Sequence, residues 1–159
     1  SAGYTEASGA VWGSQLPYLV SVKSPESEEN VPNYITDTEF STEEFVAVVK
    51  ERFPSAEFGE DSSKWAEIIS LTGSGRVNEI SLGGVVTTGK VVREMFSLRS
   101  AAFTVTVSDE GIIFKTAGYG HGVGMSQYGA NVLAGEGADF DEILEIYYPG
   151  TDLTKLTTD

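Results

Sequence analysis

His121 is the only histidine of the chain. It stands in Gly118-Tyr119-Gly120-His121-Gly122-Val123-Gly124-Met125-Ser126-Gln127-Tyr128-Gly129, a stretch that holds five of the eighteen glycines. Glycine at nearly every second position lets the backbone take positive φ and lets a ligand or a second backbone come close, at an entropic cost that an ordinary loop avoids. The stretch therefore reads as the floor of a binding site. It is not a phosphate loop, because the stretch contains no lysine followed by Ser/Thr and no G-x-G-x-x-G leading into a helix with an acidic residue further on. Three roles are open for His121. It can be a hydrogen-bonded structural residue, or it can face a ligand, since Gly120 and Gly122 supply no side chains to pack against it. Metal ligation is the weakest of the three, because one histidine and no cysteine leave only carboxylates and water to complete a zinc shell. No metal and no cofactor is expected.

The elements that position this stretch follow from local pattern. Residues 11 to 22 suggest a turn around Pro17 followed by a short extended segment. Lys23 to Asn30 reads as a solvated acidic loop, and Tyr34 to Phe40 as extended chain. Ser41 with Glu44 three residues on forms a capping box that opens a helix, with Phe45, Val48, Val49 and Phe53 on one face and Pro54 stopping it. After a polar loop over Glu57 to Lys64, Trp65–Leu71 and Arg76–Leu82 read as strands joined by Thr72-Gly73-Ser74-Gly75. A short helix is expected from Thr88, burying Val91, Val92, Met95 and Phe96. Phe103, Val105 and Val107 alternate with threonines, Ser108 to Gly111 supplies turn chemistry, and Ile112 to Lys115 returns, which predicts a β-hairpin feeding the glycine stretch. A helix from about Met125 to Ala134 and a last one capped by Asp139 and Glu142, with Ile143, Ile146 and Tyr147 inward, complete the chain. The fold class expected is α+β: a mixed, largely antiparallel sheet with a few short helices.

The string GYGHGVGMSQYGA, with Ile143-Leu144 and Tyr147-Tyr148-Pro149-Gly150-Thr151 behind it, resembles the C-terminal signature of the SpoIID family of sporulation proteins. The likeness extends upstream through Gly75-Arg76-Val77, Ile80, Arg93, Leu98-Arg99-Ser100 and Phe103 to Val11-Trp12-Gly13 and Tyr4-Thr5-Glu6. The resemblance implies a lytic transglycosylase of the cell wall, related to amidase enhancers, with residues 1–159 as the C-terminal portion of the domain. The opening Ser1-Ala2-Gly3-Tyr4-Thr5-Glu6 looks like the middle of a family motif. A fragment is therefore expected, with the acid/base glutamate of the family N-terminal to Ser1 and no catalytic residue in this chain.

That enzyme class closes the muramyl C6 hydroxyl onto its own C1, giving a 1,6-anhydro product. One carboxylic acid can then serve where ordinary glycosidases use two carboxylates. This chain would supply a wall of the groove. Gly120, His121, Gly122 and Gly124 would floor it. Ser126, Gln127 and Tyr128, at the start of a helix, would offer backbone N–H groups and short polar side chains to glycan oxygens, although Ser126 can equally be a cap. Tyr147 and Tyr148 point about 100° apart on a helix, so one can pack while Tyr148 faces the sugar. Tyr4, Thr5, Glu6 and Tyr18 fall in the family's motif region and complete the expected substrate-binding set. The partners implied are peptidoglycan glycan strands, a cell-wall amidase and membrane-anchored sporulation proteins, in an extracytoplasmic setting. A non-catalytic glycan-binding or amidase-enhancing module is the alternative.

Composition bounds these expectations. Ten basic against 24 acidic residues give a net charge of −14, which excludes an electrostatic partnership with nucleic acid. Zero cysteines exclude disulfides and thiolate zinc sites. An acidic protein that binds a glycan carrying lactyl carboxylates must shield that charge locally, so one or more of Arg76, Arg93, Arg99 and Lys23 is expected at the cleft.

Overall fold

The computed structural model describes residues 1–154, and the last five residues of the expected 1–159 unit lie outside them. The α+β class is present. The strands divide into two three-stranded antiparallel sheets. In the first, β1 (Ile35–Phe40), β6 (Gly111–Ala117) and β5 (Phe103–Ser108) lie in the order β1-β6-β5; in the second, β2 (Ala66–Leu71), β3 (Val77–Leu82) and β4 (Val85–Thr88) follow chain order. The β5–β6 hairpin turns between Ser108 and Gly111 as its alternation predicts, while β1 joins it from far upstream with Ile35 opposite Ala117 and Phe40 opposite Ile112.

One apolar core draws on both sheets and on two helices, α2 (Thr42–Arg52) and α3 (Gly89–Met95). Phe45 and Val49 of α2, Ile80 and Leu82 of β3, Val92 of α3, and Ile112 and Phe114 of β6 are fully buried. Phe45 stacks on Phe96 at 5.3 Å, and Phe103 meets Phe114 edge-on at 5.5 Å. Each such side chain contributes roughly 1.5–3 kcal/mol by leaving water. The expected Ser41–Glu44 box is in place, and Thr88 caps the helix expected to start there. Ser41 Oγ accepts from Glu44 N at 3.2 Å while Glu44 Oε2 accepts from Ser41 N at 2.9 Å, and Thr88 Oγ1 accepts from Val91 N at 3.3 Å.

Four local expectations change. A short helix, α1 (Ser8–Trp12), occupies the start of the segment read as a turn with extended chain, and Gly13 at φ 73° ends it. Its folding back is held by side chains of the turn, Ser8 Oγ accepting from Leu16 N and Gln15 Nε2 donating to Leu19 O. The Lys23–Asn30 loop is not wholly solvated, because Ser24 and Glu26 are buried. Helix α4 (Gln127–Gly135) starts two residues later than predicted, since Ser126 takes the cap. In α5 (Phe140–Tyr147), Ile143 and Tyr147 face inward but Ile146 is 40% exposed. With Tyr147 committed to the core, its neighbour about 100° round the helix must face away.

Candidate functional site

Gly118, Gly120, Gly122 and Gly124 all have φ between 69° and 79°, so the chain leaving β6 alternates left-handed glycines with Tyr119, His121 and Val123. Backbone hydrogen bonds from three directions fix this path. Gly118 N donates to Tyr34 O, Gly120 N to Arg99 O and Glu6 N to Gly122 O, each at 2.8 Å. At the far end Met125 N donates to Tyr148 Oη at 3.2 Å. At two of these positions space as well as φ requires glycine: a Cβ on Gly118 would run into the backbone carbonyl of Ser1, and one on Gly122 would fall inside the Arg76 guanidinium, 2.6 Å from Cζ and 3.0 Å from Nε.

Arg76 is only 3% exposed in a chain with few cations. Its Nη1 donates to Tyr4 O at 3.0 Å and to Ser74 Oγ at 2.8 Å. Ser74 Oγ in turn donates to Glu6 Oε2 at 2.6 Å, and Thr72 Oγ1 donates to the same oxygen at 2.6 Å. Glu6 Oε1 accepts from Ala7 N at 2.9 Å. Glu6 is therefore an anchored carboxylate, linked to Arg76 through one hydroxyl. Burial lowers the Arg76 guanidinium below its ordinary value, and the Glu6 and Glu26 charges work against that. Arg76 Nε is buried without a partner.

His121 projects from this platform and is exposed. Its Nδ1 accepts from Val123 N at 3.0 Å, which puts the proton of the neutral ring on Nε2 and turns a donor outward. The ring lies 5.6 Å from that of Trp12, centroid to centroid and tilted by 55°. His121 borders two cavities. One, of about 500 Å³, is lined along the whole loop from Gly118 to Tyr128, with Glu26, Tyr34 and Arg99 opposite. The other, of about 240 Å³, lies on the Trp12 side and is lined by Glu6, Arg76, Lys90 and Arg93.

Beneath α4 lies a buried polar cluster. Ser24 Oγ donates to Glu26 Oε2 and sits 2.5 Å from Tyr147 Oη. Glu26 Oε1 lies 2.6 Å from the Ser1 nitrogen. Burial raises the Glu26 carboxyl, while the Ser24 hydroxyl and the Glu26 backbone lower it.

The structure gathers Gly120, His121, Gly122, Gly124, Ser126, Gln127 and Tyr128 around the larger cavity. Ser126 both lines it and caps α4, its Oγ accepting from Gly129 N at 3.2 Å. Glu6 borders the smaller one. Tyr4 is 47% exposed and contributes its carbonyl to Arg76, whereas Thr5 is buried with its hydroxyl on the backbone of Val20 and Val22. Tyr18 and Tyr148 line a separate groove with Asp141 and Glu145, although the Tyr148 hydroxyl still holds the end of the glycine loop. Arg76, Arg93 and Arg99 are at the cleft and Lys23 is not among its lining residues. Trp12 and Glu26 are the site residues that sequence pattern does not single out. For Trp12 the one local signal is an aromatic ring on a short segment beside Gly13. For Glu26 the donor is its near neighbour Ser24, but the Tyr147 hydroxyl that closes the cluster on Ser24 comes from α5, so its burial has no local signal.

No family model matches the chain. Among curated proteins it is similar to stage II sporulation protein D of Bacillus subtilis (strain 168), at 37% identity over 155 residues, covering 98% of this chain and 43% of that protein. The same protein of Bacillus amyloliquefaciens matches at 37% identity with the same coverage. The amidase enhancer of Bacillus subtilis (strain 168) is 28% identical over 200 residues, covering 96% of this chain and 28% of its own length. The chain thus spans less than half the length of these relatives.

Proposed function

From the premise that the chain belongs to the SpoIID family, we propose that it forms the glycan-binding wall of a peptidoglycan lytic transglycosylase, in a protein with a sporulation-related role at the cell wall. The observation that carries this is the placement of His121. It stands between two cavities, on a backbone stripped of side chains at alternate positions, with the exposed rings of Trp12, Tyr119 and Tyr128 around it. Aromatic faces and outward donors on a rigid platform suit an uncharged sugar ring with many hydroxyls.

In the reaction, the C6 oxygen of the muramyl ring bonds to its own C1 while the bond from C1 to the O4 of the next sugar breaks. One carboxylic acid gives its proton to the departing O4 and takes the C6 hydroxyl proton. This chain's part is to hold the strand, to offer the His121 Nε2–H and loop N–H groups to it, and to keep the rings in register. Glu6 and Glu26, the buried carboxylates beside the cavities, are each occupied as acceptors by neighbouring protein donors. They are suited to anchoring the walls, and the acid is assigned to residues N-terminal to Ser1.

The test is digestion of amidase-treated, denuded glycan strands by this chain and by this chain joined to its N-terminal half, with 1,6-anhydromuramyl products read by mass spectrometry. Products from the longer protein alone are expected. A second reading is favoured by the amidase enhancer, which matches 96% of the chain: a non-catalytic module that binds glycan and stimulates a cell-wall amidase. Strand binding and amidase stimulation with no anhydro products from either protein would establish that reading instead. Both readings put the protein outside the cytoplasm.

A further inference from the structure

Tyr148 is expected from its place beside Tyr147 to face a sugar, and the structure turns it elsewhere. Its ring lines the groove along α5 with Tyr18, Leu144 and Glu145, and it is not among the residues that line either cavity at His121. What reaches the glycine loop is its hydroxyl, which accepts from Met125 N at 3.2 Å. That hold comes where the backbone clamps run out. Gly118, Gly120 and Gly122 are tied to Tyr34, Arg99 and Glu6, Val123 is bridged to Glu6, and Ser126 caps α4. Between the bridge and the cap, Gly124 and Met125 carry the chain from the loop into the helix. Among the described residues, Tyr148 is the one side chain from outside the loop that takes a hydrogen bond from its backbone.

Tyr148 is itself fixed from several sides. Its neighbour Tyr147 is buried with its hydroxyl 2.5 Å from Ser24 Oγ. Tyr148 N donates to Leu144 O at 2.9 Å, and Thr151 Oγ1 donates to Tyr148 O at 2.7 Å. The loop runs close against the ring, since a Cβ on Gly124 would lie 3.4 Å from the Tyr148 Oη and 3.8 Å from its Cε1. We propose that Tyr148 is a positioning residue: it sets the exit of the glycine loop, and through it the direction from which Ser126, Gln127 and Tyr128 meet a ligand, without touching that ligand itself. The identity of the ligand as a glycan rests on the reading above, whereas the hold on the loop does not. The effect is preorganisation. A glycine at φ 79° has no side chain to fix it, so the segment loses freedom on binding unless another group holds it beforehand.

Tyr148→Phe keeps the ring in the groove and removes only the hydroxyl. Two readouts on the ¹⁵N-labelled chain test the assignment: amide hydrogen exchange, and titration with the tetrasaccharide of alternating N-acetylglucosamine and N-acetylmuramic acid. In the variant the Met125 amide is expected to exchange about tenfold faster, the scale of one lost hydrogen bond, while the amides of β3 and β6 keep their rates and so verify the fold. Binding is expected to weaken about fivefold, the scale of ordering one short segment on association. The altered ligand-induced shifts are expected at Ser126, Gln127 and Tyr128, with the Trp12 indole responding as before. An unchanged exchange rate at Met125 overturns the proposal even if binding weakens, because the hydroxyl would then act on the sugar directly. Faster exchange with undiminished binding overturns it as well and leaves the glycan reading standing. If the unaltered chain binds no tetrasaccharide, the glycan reading falls, and faster exchange at Met125 in the variant still upholds the hold on the loop.

Discussion

Arg76→Met is expected to destabilise the chain by about 3 kcal/mol, the lower end of the cost of removing one member of a buried charged network while the other stays. For a chain of this size that is a fall in melting temperature of about 6–12 °C. The argument rests on the groups left behind. Glu6 stays 3% exposed with its charge, Ser74 loses an acceptor role, and the space under Gly122 fills with a flexible thioether in place of a planar cation. Arg76→Lys is not expected to rescue it, because one ammonium cannot both donate to Tyr4 O and Ser74 Oγ and lie flat beneath a backbone. The double variant Arg76→Met with Glu6→Gln separates the causes. If the cost is the stranded Glu6 charge, the pair will be less destabilised than the sum of the singles by about 1 kcal/mol or more. Strict additivity would show that Arg76 acts by packing alone.

Gly129→Ala is expected to lower stability by about 3 kcal/mol, although the same change in an open helix raises it by about 1 kcal/mol. Gly129 sits in α4 directly over the buried polar cluster. A Cβ there would lie 2.6 Å from Glu26 Oε2 and closer still to Tyr147 Oη and Ser24 Oγ. The helix must lift or the cluster must break. Gly135 at the end of the same helix is the control, since a Cβ there meets nothing within 4 Å, and Gly135→Ala is expected to be neutral or stabilising. Thermal melts of the two variants decide the matter by the sign of the shift. A stabilising Gly129→Ala would mean that the helix does not rest on Ser24, Glu26 and Tyr147.

The features legible in the sequence are local ones. The Ser41–Glu44 and Asp139–Glu142 caps, the helix start at Thr88 and the β5–β6 hairpin are each written within a few residues and appear as predicted. The glycine stretch is legible as a candidate site because glycine at alternate positions has few structural uses. Features that depend on distant partners are not legible. Ser24 and Glu26 sit in a run that reads as wet, yet Ser24 meets Tyr147 across 123 positions of sequence. A polar residue is buried only when its hydrogen bonds are satisfied, and although Ser24 donates to Glu26 from two residues away, the Tyr147 hydroxyl that completes the cluster comes from α5. The pairing of β1 with β6 and the division of strands into two sheets are equally non-local. The acidic net charge together with the glycan that the family resemblance implies predicts arginines at the cleft, whereas the role of Arg76 under Gly122 needs the fold.

That arginine has a consequence for anyone who would move the site elsewhere. The loop from Gly118 to Gly129 takes its outline from a guanidinium on the turn between β2 and β3 and from backbone groups of Glu6, Tyr34 and Arg99. Cut out as a peptide, the same residues would keep every chemical group and lose the shape, because glycines specify freedom rather than form. A graft that reproduces the site must therefore carry its mould with it: the turn bearing Ser74 and Arg76, and the segment bearing Glu6, together with the loop they cast.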